Sequence, residues 1–89
     1  MVLVKKIVLD VLKPHQPSSI EFSQSIAKIG IDYKVHLIVI EMDESTETLQ
    51  IMIEGSAIDF DGIQSAINSM GGSIHSIDEV EVQNEVGDG

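Results

Sequence analysis

The side chains able to do chemistry in this chain are carboxylates and imidazoles. Fifteen acids stand against five basic residues, all of them lysine, with three histidines, no arginine and no cysteine. Asp10 is the first to notice, because it interrupts the apolar run from Ile7 to Leu12 and a carboxylate is costly to bury unpaired. Glu54, Asp78 and His36 also fall in or at the end of apolar stretches. Carboxylates set side by side repel unless something compensates. A calcium or magnesium ion with oxygen ligands is one solution, a raised pKa a second, and lysines from a neighbouring subunit a third. His15 and His75, with Glu79 close to the latter, form an alternative group whose donors suit zinc or nickel, although their spacing matches no zinc motif. The acidic run Asp43-Glu44-Ser45-Thr46-Glu47 lacks the EF-hand glycine and length and reads as a solvated turn. Ser18, Ser19, Ser23 and Ser25 have no base or oxyanion elbow beside them.

Six elements must position these residues. Val2 to Leu12 alternates Ile7, Leu9 and Val11 against Val8, Asp10 and Leu12 and predicts a strand, stopped by Lys13-Pro14-His15-Gln16-Pro17. Ser18-Ser19-Ile20-Glu21 has the capping-box form, and Phe22, Ile26 and Ile29 follow at helical spacing, with Gly30 where a C-cap belongs. Tyr33 to Met42 and Thr48 to Glu54 read as strands joined by the short acidic turn, hence an antiparallel hairpin. Asp59 predicts the N-cap of a second helix, with Ile58 and Ile63 as a hydrophobic staple and Gly71-Gly72 as its end. A last strand runs from Ser73 to about Val82, and residues 83–89 read as a frayed tail. One domain over residues 1–82 accounts for the chain.

The order β-α-β-β-α-β, with right-handed crossovers, predicts an α+β fold of the ferredoxin-like kind: an antiparallel four-stranded sheet of order 4-1-3-2 with both helices on one face. If Leu9, Val11, Ile51 and Ile53 point to the helices, then Val8, Leu12, Ile38, Ile40 and Met52 lie on the uncovered face. An apolar patch there implies self-association. Counting back from the hairpin sets Met42 against Thr48 and His36 against Glu54. Laying the third strand parallel to the first brings Glu54 near Asp10, and the fourth strand brings Asp78 near Asp10. The expected site is thus a row of His36, Glu54, Asp10 and Asp78 across the open face, although a slip of one residue would turn a member over.

Composition narrows the classes further. A formal charge of −10 opposes nucleic-acid binding, which needs a basic surface. The longest apolar run, Leu37 to Ile40, is too short for a membrane span. Without cysteine there are no disulfides, thiolate metal sites or iron–sulfur clusters, which fits a cytoplasmic protein, and no signal-peptide pattern is expected.

The stretches Leu9-Asp10-Val11-Leu12-Lys13-Pro14-His15, Ile53-Glu54-Gly55, Ile58-Asp59 and Gly71-Gly72-Ser73-Ile74-His75-Ser76-Ile77-Asp78-Glu79-Val80 together resemble an archaeal family catalogued as a domain of unknown function, family two-eleven. The resemblance covers nearly the whole chain. It implies a ferredoxin-like fold, oligomeric assembly and association with divalent cations, and no established activity. Asp10, His15, His75, Asp78 and Glu79 lie in the matching segments.

Three functions compete. The first is a non-enzymatic homo-oligomeric binding or regulatory module with a divalent cation or small ligand. The second is a small metal-dependent enzyme using Asp10 and its row to activate water. The third is a purely structural interaction protein. A chain this short has no deep pocket without assembly, and it offers few candidate bases, which favours the first.

Overall fold

The computed structural model describes residues 1–86. Its elements are β1 (Val2–Pro14), α1 (Ser19–Ala27), β2 (Lys34–Met42), β3 (Thr46–Glu54), α2 (Phe60–Ser69) and β4 (Ser73–Asn84). The sheet order is β2-β3-β1-β4, the expected 4-1-3-2 read from the other edge. Every neighbouring pair is antiparallel. The fold is the ferredoxin-like α+β sandwich.

The core forms where the period-two rows of the strands meet the helical stripes. Ile7, Leu9 and Val11 of β1 and Leu49, Ile51 and Ile53 of β3 pack with Phe22 and Ile26 of α1 and Ile63 and Ile67 of α2. The cluster is aliphatic apart from Phe22, as the scarcity of aromatic residues requires. Each of these ten side chains is almost wholly withdrawn from water, and full burial contributes roughly 1.5–3 kcal/mol per large side chain.

Local signals set the helix ends. Ser18 caps α1: its hydroxyl accepts from the Glu21 amide at 3.2 Å while the Glu21 carboxylate turns back to the Ser18 amide. The Asp59 carboxylate accepts from the Gly62 amide at 3.1 Å and caps α2, and the staple pair Ile58 and Ile63 is buried. The C-terminus of α2 is a Schellman closure. The Gly72 amide donates to Ile67 O at 2.9 Å and the Gly71 amide to Asn68 O at 3.0 Å, with Gly71 at φ 85°.

Several boundaries differ from expectation. α1 stops at Ala27, capped by Lys28, whose amide donates to Gln24 O at 3.1 Å, while the next amide, of Ile29, donates to Ile26 O at 3.1 Å. Gly30 is therefore not the C-cap, and its φ is not positive; a Cβ there would run into the Tyr33 ring. β1 continues through Lys13 and Pro14, and β3 starts at Thr46, so Glu47 belongs to a strand and not to a solvated turn. β4 extends beyond Val82: Gln83 and Asn84 pair with Leu3 and Val2, and the Glu85 amide donates to Met1 O at 2.7 Å. Residues 83–85 are thus sheet-bound, where a frayed tail was expected; Val86 beyond them is exposed, and residues 87–89 of that tail lie outside the described residues.

The strands outrun the helices. The molecule is 54 Å long, whereas nine or ten helical residues span only about 15 Å. The helices cover the middle of the sheet, with α1 reaching β2 and α2 reaching β4, and are too short to cover the strand ends.

Candidate functional site

Register decides which polar groups meet on the open face. Antiparallel pairing of β1 with β3 sets Lys6 against Glu54 and Asp10 against Gln50. The expected parallel alignment is therefore wrong, and Glu54 sits one ladder row from Val8 and two from Asp10. In the hairpin, Lys34 faces Glu54, His36 faces Met52 and Met42 faces Glu47. His36 is thus not opposite Glu54, nor Met42 opposite Thr48. One residue of the displacement is set at the turn, where Met42 already meets Glu47, and a second is added at His36 by a bulge at Ile40, the extra residue between Val39 and Glu41.

β4 carries two more bulges, at Asp78 and at His75, because Val8 pairs with Glu79 but Leu9 with Ile77, and Asp10 with Ser76 but Val11 with Ile74. Asp78 therefore lies out of the ladder, accepting from the Ser76 hydroxyl at 2.7 Å. Among the described residues, no three histidine, aspartate or glutamate side chains converge as a metal site would require. The row His36, Glu54, Asp10, Asp78 is dispersed over three ladder rows and a bulge.

What crosses the open face instead is a line of alternating charge: Lys34, Glu54, Lys6, Glu81. Lys6 Nζ reaches diagonally to Glu79 Oε2 at 3.2 Å. The Glu79 hydrogen bond and charge, with Glu54 and Glu81 adding, hold the Lys6 ammonium above the usual lysine value. Beneath this line the open face is apolar at Val8, Leu12, Met52 and Ile38, of which Val8 is buried and Ile38 is 42% exposed.

The most enclosed polar cluster lies on the helix face at the end of β1. Lys13 continues the inward row Ile7, Leu9, Val11, and Glu47 continues Leu49, Ile51, Ile53; the two are ladder partners. The Lys13 side chain is 0% exposed. Its ammonium donates to Pro14 O at 2.9 Å and Pro17 O at 2.8 Å, with His15 O at 3.5 Å, and it pairs with Glu47 Oε1 at 3.1 Å. The Phe22 ring lies beneath it, 5.9 Å from Nζ to the centroid. The chain supplies those carbonyls because Pro14 and Pro17 turn it back over the strand end.

Glu47 holds this cluster together. Oε1 also accepts from the Ser19 hydroxyl at 3.4 Å, and Oε2 lies 3.0 Å from His15 Nδ1. The other ring nitrogen, Nε2, faces Asp43 O at 3.1 Å and Glu44 O at 2.9 Å. Both imidazole nitrogens thus meet acceptors, which only the imidazolium satisfies fully. The Glu47 hydrogen bond raises the His15 pKa above its ordinary value, and the Glu44 carbonyl helps. His15 in turn lowers the Glu47 pKa, joined by Lys13 and opposed by burial.

The alternative group is not assembled either. His15 bonds Glu47 and the hairpin turn; Glu79 pairs with Lys6; His75 stands exposed at its bulge. Lys13 and Glu47 were missed by sequence reasoning. The available signal was their odd-numbered place in two apolar rows, which puts both on the buried face.

The chemistry of the Lys13–Glu47–His15 cluster is that of a clasp. Every charged group is saturated by partners inside the chain. It ties the end of β1, the first turn of α1 and the β2–β3 turn together. Among the described residues no ligand-sized pocket opens beside it or elsewhere, and no helix is long and apolar enough to cross a membrane.

Comparison with known proteins places the chain. Residues 5–88 match domain-of-unknown-function family 211, described as "Uncharacterized ArCR". The chain belongs to this family. A relative from Methanocaldococcus jannaschii, itself an uncharacterized protein, is 44% identical over 77 residues, covering 86% of this chain and 79% of its own length. Neither the family description nor the relative's carries an activity.

Proposed function

We propose that this family 211 chain is a non-enzymatic, cytoplasmic binding or regulatory module that works as a homo-oligomer. The observation that carries the reading is the state of the two sheet edges. β4 is twelve residues long, and its helix-side residues Ile77, Val80 and Val82 stand 48%, 54% and 55% exposed. At the other edge, β2 exposes Ile38, Val39, Ile40 and Met42. Long edge strands with apolar side chains and open backbone groups are templates for pairing with another chain. A cysteine-free chain suits the reducing cytoplasm.

Light scattering after size exclusion tests the assembly. The expected mass is a multiple of the 9.7 kDa chain; a single-chain mass at micromolar concentration overturns the reading. The divalent cation belongs to the same proposal, as an ion held between copies by open-face acids, Asp10 and Asp78 foremost. Calcium or magnesium should then raise the melting temperature of the assembly, and Asp10→Asn should abolish the rise. No rise in the parent protein removes the ion from the proposal and leaves the assembly standing.

A further inference from the structure

Granting self-association as proposed above, we infer that copies join head to tail, with β4 of one pairing antiparallel to β2 of the next, so that Glu81 meets Lys34, Val80 meets Val35 and Ile77 meets Leu37 across the seam. The occupant of each open edge is a second copy of this chain.

Strand direction comes first. Because every neighbour in the order β2-β3-β1-β4 is antiparallel, β2 and β4 run in opposite directions. A second subunit set beside the first in the same orientation presents its β2 antiparallel to β4, and the ladder continues without reversal.

Side-chain rows continue as well. On the open face the row Lys34, Glu54, Lys6, Glu81 alternates positive and negative and ends on an acid, so the next residue it calls for is a cation. The next copy supplies Lys34. One row along, Glu79 meets His36 of the next copy by the same register. Lys5, Lys6 and Lys13 are committed to Glu85, Glu79 and Glu47, whereas Lys34 has no ion-pair partner among the described residues.

On the helix face the rows are Val35, Ile53, Ile7, Val80 and Leu37, Ile51, Leu9, Ile77. Their inner members are buried and their β4 ends are half exposed. Apposition of the next Val35 and Leu37 extends both rows as apolar cross-strand pairs. The exposed valine and isoleucine of β4 then have the same kind of neighbour that buries Ile7 and Leu9.

The two-fold alternatives fit less of this. Pairing β4 with its own copy sets Glu79 and Glu81 of both chains on one open face, with no lysine on β4 to separate them. Pairing β2 with its own copy, centred on Leu37, can match Lys34 with Glu41 but leaves the whole of β4 uncovered. A head-to-tail contact is heterologous, so it builds a closed ring if the rotation per subunit closes and a filament if it does not.

The native chain has no cysteine, so crosslinking reads the register directly. Directly opposed residues have Cβ atoms about 4.5–5.5 Å apart, within reach of a disulfide after slight adjustment. Val35→Cys and Val80→Cys, prepared as separate chains and mixed under oxidation, should give the mixed dimer. The double variant Val35→Cys/Val80→Cys should give a ladder of dimer, trimer and higher species. Leu37→Cys with Ile77→Cys reads the same register at a second pair, should either valine variant fail to fold by circular dichroism. Lys34→Glu should lower the assembly mass at least twofold with unchanged helix content. An oligomeric parent that yields no crosslink at either pair, or yields Leu37→Cys homodimers instead, overturns the head-to-tail register while self-association stands. A monomeric parent overturns both.

Discussion

Consider Glu47→Gln, which keeps the volume and hydrogen-bonding reach of the side chain and removes its charge. In the native clasp one carboxylate serves three donors: Lys13 Nζ at 3.1 Å, the Ser19 hydroxyl at 3.4 Å and His15 Nδ1 at 3.0 Å. A carboxamide has a single acceptor oxygen, and its amino group must then point at either the Lys13 ammonium or His15 Nδ1, which can accept from it only when the imidazole is neutral. Lys13, with no exposure to water, keeps its backbone carbonyls and loses its counter-charge. Breaking a buried ion pair by removing one partner costs about 3–5 kcal/mol, and the retained carbonyls put the expected loss near the low end, about 3 kcal/mol. For a domain of this size that is a fall in melting temperature of about 15 °C. Urea unfolding at pH 6 and one fixed protein concentration measures it, with the slope compared between variants to confirm a change in stability alone. Lys13→Met keeps the stem over Phe22 and removes the buried cation. Added to Glu47→Gln it should therefore cost much less than it does alone, a coupling of about 2 kcal/mol in the double-mutant cycle. A Glu47→Gln loss below about 1 kcal/mol, or a cycle that closes additively, would falsify the clasp as a stabilising unit.

Two further outcomes follow from the same geometry. His15 is raised above its ordinary value near 6.5 and Glu47 is lowered below its ordinary value near 4.3. The His15 contribution is then complete below about pH 6.5 and is lost as pH rises through the raised folded value. The Glu47 contribution is complete above about pH 4.3 and is lost as pH falls through the lowered folded value. Unfolding free energy plotted against pH should therefore be highest between about 4.3 and 6.5 from this pair, and His15→Gln should flatten the alkaline limb; an unchanged limb in the variant rules out His15 as its source. Gly71→Ala should cost about 1–2 kcal/mol, because its φ of 85° is unfavourable for a residue with a Cβ. The new methyl group would also approach Pro14 Cγ to 3.3 Å; a melting temperature within 1 °C of the parent, roughly 0.2 kcal/mol, would contradict the positive-φ argument.

The amino-acid order by itself determined the elements and the faces they bury. Hydroxyl and carboxylate caps at Ser18 and Asp59, the glycine after α2 and the alternation through Leu9, Val11, Ile51 and Ile53 are local signals, and each is met in the structure. Such signals act within a few residues, where backbone geometry alone dictates the partner. What only the tertiary structure decided was the register between strands. A period of two says which face a residue takes and nothing about which residue stands beside it, so a strand laid in the wrong direction still buries the right side chains. That is why Glu54 was expected beside Asp10 and is found beside Lys6. The bulges at Ile40, Asp78 and His75 added shifts that no periodicity announces. The clasp shows the converse. The sequence placed Lys13 in the segment that stops the first strand and Glu47 in a solvated turn, but the strand rows carried both inward, and folding offset the cost of burying them by bringing each to the other.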